Sequence, residues 1–139
     1  PANPAPAPAA AGARALIMDD DPDIRRVAAA FLRRAGIDPV AVNDGAAALE
    51  AYRQARDEGR PFDVVILDLT VPGGMGGRET IEHLLRLDPE VKAIVSSGYS
   101  TEAVMADHRA FGFRGVIAKP YVIADFLRVV RSVLQKGQS

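Results

Sequence analysis

Several apolar runs of this sequence are followed by polar residues whose types suit phosphoryl transfer. These residues are Asp19, Asp20, Asp21, Asp68, Ser97 and Lys119. A single acid after such a run could simply be a solvated residue at the point where the chain leaves a sheet. A buried strand, however, has no packing reason to end in a carboxylate or an ammonium, so the recurrence at several strands indicates a functional site.

Carboxylates that meet from separate strands need a proton or a cation between them. Two carboxylates about 4 Å apart repel by roughly 4 kcal/mol at an effective dielectric constant near 20. Magnesium accepts oxygen ligands and retains water, whereas zinc prefers a His or Cys set that the sequence does not place beside these acids. We therefore predict Mg²⁺ as the metal.

A carboxylate beside Mg²⁺ can act as a nucleophile toward phosphorus. The metal would neutralise the oxygens of an incoming phosphoryl group while Asp68 attacks it. Lys119 supplies a second positive charge and Ser97 a hydroxyl donor, so the phosphoryl oxygens would be held from several directions. These residues predict phosphoryl transfer onto Asp68.

The elements that must position these residues alternate between strand and helix. The predicted strands are residues 15–18, 39–42, 64–67, 93–95 and 115–118. Most of these runs lack polar alternation, as expected for parallel strands buried on both faces. We predict an α/β fold, a (βα)5 doubly wound five-stranded parallel sheet of the flavodoxin-like type, with its ligand site at the carboxyl ends of the strands.

Capping residues mark the predicted helix boundaries. Asp21 can accept hydrogen bonds from the free amides of a first helix, which tolerates Pro22 in its first turn and stops at Gly36. Asp44 opens a second helix, and a third ends at Asp88 before a proline.

The last two helical segments differ in clarity. The fourth, near residues 101–111, is the least periodic. The fifth has an apolar face formed by Ile123, Phe126, Leu127, Val130 and Leu134. Val122, Val129 and Val133 widen this stripe beyond what one sheet contact needs, which predicts a partner on this helix, such as a second copy of the chain.

Composition and charge predict one cytoplasmic domain. With 139 residues, 48% of them hydrophobic, the chain can form a single core. Basic residues are scattered among acids at a net charge of -1, which argues against direct nucleic-acid binding. The absence of Cys, of a long apolar run and of a signal-peptide pattern predicts neither disulfides nor membrane attachment.

The two ends of the sequence differ in composition from the domain. Residues 1–13, mostly Pro and Ala, are predicted to be a linker, residues 14–136 the domain and residues 137–139 a tail. Because the sequence starts without Met, we expect that further residues once preceded it. We expect no output domain after the last helix.

Four runs resemble the signatures of response-regulator receiver domains in order and spacing. They are LIMDDDP at 16–22, VVILDL at 64–69, VSSGY at 95–99 and AKP at 118–120. The resemblance covers residues 14 to about 136 and implies a phosphoacceptor of a two-component system or phosphorelay. The implied partner is a histidine kinase or a histidine phosphotransfer domain.

The resemblance also implies a role for each site residue. Asp68 is the implied phosphoacceptor, Ser97 the switch hydroxyl and Lys119 the phosphoryl-binding cation. The implied metal ligands are Asp19, Asp20, Asp68 and the backbone carbonyl of Thr70. Such a domain phosphorylates and dephosphorylates only itself, so we do not expect an enzyme with an external substrate.

Neighbouring residues are expected to tune the site. Thr70 and Tyr99 lie where the family borders the entry of attacking water, although Tyr99 fits ordinary surface packing equally well. Asp21 is expected to cap a helix rather than to bind the metal. Gly98 and Pro120 adjoin the site, and the peptide bond before Pro120 is expected to be cis, as the family usually has it.

Two features bear on how such a receiver works and where it belongs. Val116 stands three residues before the lysine, where many family members place a switch aromatic. The usual coupling of the switch hydroxyl's movement to an aromatic rotamer is therefore not expected here, unless Tyr99 or Tyr121 takes the part of that aromatic. The segment LTVPGGMGG at 69–77 looks like the version in receivers fused to the C-terminus of hybrid sensor histidine kinases. A flexible loop in a stand-alone receiver is the alternative.

Two other functions fit parts of the pattern. A haloacid-dehalogenase-like phosphatase also uses a strand-end Asp, a later Ser or Thr and a Lys. However, Asp23 stands where a small residue is expected, and no acidic pair follows Lys119. A receiver-fold interaction module that is never phosphorylated is the second alternative. His83 and His108 are expected to be solvated helical residues.

Overall fold

A computed structural model describes residues 12–98 and 103–136 of the 139-residue chain. Within these ranges, parallel strands form a five-stranded sheet in the order β2-β1-β3-β4-β5. The strands are β1 Arg14–Met18, β2 Asp38–Val42, β3 Val64–Asp68, β4 Ala93–Ser97 and β5 Gly115–Ala118. The predicted doubly wound α/β fold is confirmed.

Helices cover both faces of this sheet. They are α1 Pro22–Arg34, α2 Gly45–Asp57, α3 Gly77–Leu87, α4 Ala103–Ala106 and α5 Ile123–Lys136. The core cluster under α1 and α5 includes Ile66 and Phe126, and the cluster under α2 and α3 includes Leu67 and Ile81. Because successive strand residues point to opposite faces, β3 is apolar along its length and leaves only its end for polar chemistry.

Capping residues start α1 and α2 as predicted. Asp21 precedes α1, and its Oδ1 accepts a hydrogen bond of 2.8 Å from the amide of Asp23. Asp44 caps α2 by accepting a bond of 2.9 Å from the amide of Ala47. Beyond α1, Gly36 has a φ of 79°, the left-handed conformation that ends a helix.

The predicted boundaries need two corrections. β3 and β4 extend to Asp68 and Ser97, so these polar residues are held by the sheet instead of lying beyond it. The single fourth helix predicted near residues 101–111 is wrong, because α4 spans four residues and a 3₁₀ helix follows at His108–Phe111. None of the 3₁₀ residues is fully buried, and Phe111 alone of them packs against the core under α2 and α3.

The wide apolar stripe of α5 serves the core. Val133 is 1% exposed, and Val129 packs against the core cluster under α1 and α5. Both approach β5 closely, since a Cβ at Gly115 would lie 3.0 Å from the side chain of Val129 and 3.1 Å from that of Val133. The prediction that Val133 contacts a partner is therefore wrong, whereas Val129 is only partly buried. Val122, 56% exposed, is the one of the three that stays on the surface.

Some predicted segments lie outside the described residues. They are most of the linker at residues 1–11, Tyr99, the first residues of the predicted fourth helix and the tail at residues 137–139. Among the helices that are described, none has the length and apolar character needed to cross a membrane.

Candidate functional site

Three carboxylates meet at the carboxyl ends of β1 and β3. Asp19 directly follows β1, and Asp68 is the last residue of β3, which pairs with β1 in parallel. One carboxylate oxygen from each of Asp19, Asp20 and Asp68 lies within 4.8 Å of the others. Asp19 and Asp68 are 1% and 5% exposed, whereas Asp20 faces solvent. The convergence predicted from the strand ends is present, and we call these residues the acid cluster.

Lys119, directly after β5, reaches the acid cluster with its ammonium. Its Nζ lies 2.7 Å from Oδ2 of Asp19 and 3.2 Å from Oδ1 of Asp68. The contact with Asp19 is a short ion pair to a buried carboxylate oxygen. The other oxygen of Asp19 accepts a bond of 2.9 Å from the amide of Asp21.

These contacts shift the ionisation of Asp68 and Lys119. Burial, and then the negative charge of Asp19, raise the pKa of Asp68 from 3.8 to about 6, against the lowering effect of Lys119. Burial alone would lower the pKa of Lys119, but its contacts with Asp19 and Asp68 outweigh burial and raise it. Three carboxylates therefore face one ammonium, an imbalance that a divalent cation would correct.

The donor atoms of the acid cluster fit a hard divalent cation. All three are carboxylate oxygens, and no His or Cys of the described residues joins the group. Oδ2 of Asp19 is buried, and the ammonium of Lys119 lies 2.7 Å from it, so this oxygen already holds one positive charge. Because Asp20 is open to solvent, a bound metal could keep some of its water. The cluster could therefore bind a metal ion.

The start of α1 holds the acidic turn in place. Arg25 of α1 donates a hydrogen bond of 2.8 Å from Nη1 to the backbone oxygen of Asp19. The side chain of Asp21 caps the same helix and does not belong to the acid cluster, as predicted. The backbone around Asp19 is thus fixed from both sides by the first turn of one helix.

Ser97 and Lys119 are joined through their backbones. Ser97 ends β4 and is 4% exposed, and its carbonyl oxygen accepts a bond of 3.1 Å from the amide of Lys119. The preceding residue, Ser96, pairs in register with Asp68. Ser97 therefore comes next to the acid cluster, and Gly98 follows on the exposed edge.

A buried hydroxyl pair near this site was not predicted. Ser96 is fully buried, and its Oγ lies 2.7 Å from the hydroxyl oxygen of Tyr121. Burial raises the pKa of Tyr121 to about 12, so the phenol stays protonated. The expected cis peptide bond between Lys119 and Pro120 is present directly before Tyr121. The one sequence signal for the pair was a second serine, next to the predicted Ser97, at the end of an apolar strand.

Close packing explains two glycines of the segment after Asp68. A Cβ at Gly77 would lie 2.8 Å from the backbone oxygen of Asp68, and one at Gly76 would lie 2.5 Å from that of Leu69. Only glycine lets α3 begin directly against the end of β3. Thr70 is exposed on this segment.

Val116 and the two histidines lie apart from the acid cluster. Val116 is partly buried in the core under α2 and α3, where it makes an aliphatic contact. His83 is 40% exposed on α3, with Nε2 3.9 Å from Glu79, which agrees with a solvated helical residue. His108 lies on the 3₁₀ helix and is partly buried, and burial lowers its pKa.

Residues 15–131 match the family described as the response regulator receiver domain. The chain belongs to this family. Among similar proteins, response regulator receiver protein CpdR of Brucella abortus is 28% identical over 121 residues, covering 87% of the receiver domain chain and 96% of CpdR. Sensor kinase CckA of the same organism is 26% identical over 124 residues, covering 89% of this chain but 13% of CckA.

A solved structure agrees with the receiver fold. Chemotaxis protein CheY4 of Vibrio cholerae matches with a TM-score of 0.77 and 25% sequence identity, over 87% of this chain and 98% of that one. The receiver domain therefore belongs to two-component signalling rather than to the haloacid dehalogenase phosphatases that share part of its pattern.

Proposed function

We propose that this receiver domain accepts a phosphoryl group on Asp68 in a Mg²⁺-dependent reaction. The donor is the phosphohistidine of a histidine kinase or of a histidine phosphotransfer domain. A carboxylate oxygen of Asp68 forms the bond to phosphorus, the P–N bond of the phosphohistidine breaks, and the leaving imidazole takes up a proton. The observation that carries this proposal is the meeting of three carboxylates with Lys119.

Each residue of the site has a distinct role in this reaction. The metal ligands are Asp19, Asp20, Asp68 and the backbone carbonyl of Thr70. Bound Mg²⁺ supplies positive charge that neutralises the phosphoryl oxygens. Lys119 lies 3.2 Å from the acceptor and transfers its ion pair from the carboxylate to a phosphoryl oxygen. Ser97 donates its hydroxyl to another phosphoryl oxygen.

The proposed reaction is one modification per donor, without turnover of an external substrate. The acyl phosphate persists until water attacks it, and Thr70, exposed on the segment after Asp68, borders the path of this water. While it persists, the added charge draws Ser97 and Lys119 inward and biases an existing equilibrium at the surface around α4 and β5. That surface is the proposed output of the domain.

Fusion to a hybrid sensor histidine kinase is a further part of the proposal. Sensor kinase CckA contains a segment similar to this chain within a much longer protein, since the match covers 13% of its length. CpdR, matched over 96% of its length, supports the stand-alone alternative. Sequencing the gene upstream of Pro1 decides between them. A kinase domain in frame is expected, and a start codon immediately upstream would contradict the fusion.

Self-association of the domain through the α5 region is also proposed, but fewer valines are exposed for it than the sequence predicts. Val122 is exposed and Val129 is partly buried, whereas Val133 belongs to the core. Light scattering with and without beryllofluoride measures the assembly. A mass that never changes would reject a phosphorylation-dependent dimer.

Acetyl phosphate with Mg²⁺ tests the central proposal. Intact-mass spectrometry should show one added phosphate on the wild-type domain, removed by hydroxylamine because acyl phosphates react with this nucleophile. Asp68→Asn and wild type with EDTA should both remain unmodified. An unmodified wild type would contradict phosphorylation and favour the alternative of a non-phosphorylated interaction module.

A further inference from the structure

The hydroxyl pair of Ser96 and Tyr121 lies beside the acid cluster without a role in the proposed reaction. Ser96 pairs in register with Asp68 across β3 and β4, so the two side chains lie on the same face of the sheet. Tyr121 packs on that face against Phe126, with 5.0 Å between ring centroids. Tyr121 follows Lys119 by two residues, and we call residues 119–121 the lysine loop. The hydroxyl pair therefore connects Ser96, which lies next to Asp68, to the lysine loop.

β4 holds the lysine loop at two points. The amide of Lys119 donates a bond of 3.1 Å to the carbonyl oxygen of Ser97, and Tyr121 shares its bond of 2.7 Å with Ser96. If the first point were the only one, the loop could pivot about it. A pivot would move an ammonium that lies 2.7 Å and 3.2 Å from its two carboxylate partners.

We propose that Tyr121 is a positioning residue whose hydroxyl bond to Ser96 holds Lys119 in place for phosphoryl transfer to Asp68. This inference rests on the function proposed above. Either hydroxyl can donate in the pair, and neither is part of the acid cluster. Loss of one hydroxyl should therefore release the lysine loop while leaving the metal ligands where they are.

The two parts of the Tyr121 side chain have separable contacts. The ring packs against Phe126 and keeps that contact in Tyr121→Phe, which removes only the hydroxyl. The chain also offers a matched control. Tyr52 is 3% exposed in the opposite core, under α2 and α3, and its hydroxyl donates a bond of 2.7 Å to Asp88 at the end of α3. Tyr52→Phe thus removes a comparable buried bond that does not touch the lysine loop.

The test compares Tyr121→Phe, Ser96→Ala, the double variant and Tyr52→Phe with wild type. The phosphorylation rate is measured over a series of acetyl phosphate concentrations at saturating Mg²⁺. Calorimetric titration measures the Mg²⁺ affinity of each protein, and thermal unfolding measures its stability. If the role of Tyr121 were purely structural, its loss would lower the stability of the domain. It would not slow phosphorylation while Mg²⁺ binding is retained.

Tyr121→Phe and Ser96→Ala should each lower the maximal phosphorylation rate about 3- to 10-fold, the size expected for one lost hydrogen bond. Their Mg²⁺ affinities should not fall, because the carboxylate ligands stay in place and the ammonium that competes for them is released. The double variant should be no slower than the single ones. Tyr52→Phe should lose stability and phosphorylate at the wild-type rate.

Two outcomes would overturn the inference alone while the proposed function stands. In one, Tyr121→Phe is phosphorylated as fast as Tyr52→Phe. In the other, the losses from Tyr121→Phe and Ser96→Ala multiply in the double variant, which shows that the hydroxyls act independently. Failure of the proposed function gives a different result, because wild type itself then stays unmodified.

Discussion

Ile66 and Asp68 lie on the same face of β3, two residues apart, yet burial affects them in opposite ways. They are 1% and 5% exposed. Removing the isoleucine side chain from water stabilises the fold by about 1.5 to 3 kcal/mol. Burial of the carboxylate raises its pKa to about 6, so its charged form lowers stability at neutral pH. Apolar burial inside the sheet therefore offsets the loss of folding stability caused by the buried charge of the acid cluster.

The largest expected effect is in the interior. Ile66→Ala should lower the free energy of unfolding by about 2 to 5 kcal/mol, because it removes buried methyl groups and leaves a cavity in a packed core. Urea denaturation measures the change, and Ile66→Val should cost about 1 kcal/mol. If Ile66→Ala lost less stability than Ile66→Val, burial of the isoleucine would contribute little to the stability of the sheet.

At the acid cluster, the expected effect is smaller and opposite in sign. Asp68→Asn should raise the free energy of unfolding by about 1 to 2 kcal/mol at pH 7.5 in EDTA. The folded-state pKa of Asp68 lies above its ordinary value of 3.8, so the folded state binds the proton more tightly than the unfolded state. For this group, wild-type stability is highest below about pH 4 and falls as the pH rises through about 6.

The advantage of Asp68→Asn should therefore shrink as the pH falls from 7.5 toward 4. Urea denaturation over this range measures it, and Mg²⁺ provides the control. The metal should stabilise wild type more than Asp68→Asn, because the amide is a poorer metal ligand than the carboxylate. Equal stability of the two proteins at pH 7.5 in EDTA would show that burial of this acid costs nothing.

The smallest expected effect comes from removing either of two helix caps, which differ in their distance from the acid cluster. Asp21→Ala and Asp44→Ala should each cost about 1 kcal/mol of stability, since each removes a side-chain bond to a helix amide. Asp21→Ala should also slow phosphorylation by acetyl phosphate, because loss of the cap loosens the start of α1, where the amide of residue 21 donates to Asp19. Asp44→Ala is the matched cap variant. Equal phosphorylation rates would show that the acid cluster does not depend on the start of α1.

Residues close together in the sequence account for much of what could be predicted. Asp21 and Asp44 cap helices through bonds to amides two and three residues away, so their roles can be recognised in a short segment. The meeting of Asp19 and Asp68 could also be predicted, because the ends of parallel strands share one edge of a sheet. The fourth helical segment could not, since its weak apolar pattern does not specify one continuous helix.

The sequence by itself determined the order of strands and helices, the polar residue at each strand end and the caps, because these depend on periodicity and local hydrogen bonds. Only the tertiary structure decided that Val129 and Val133 pack into the core, since this depends on how closely α5 approaches Gly115. It also decided the bond between Ser96 and Tyr121, which are 25 residues apart. Such contacts arise from the packing of separate elements, which no short stretch of sequence specifies.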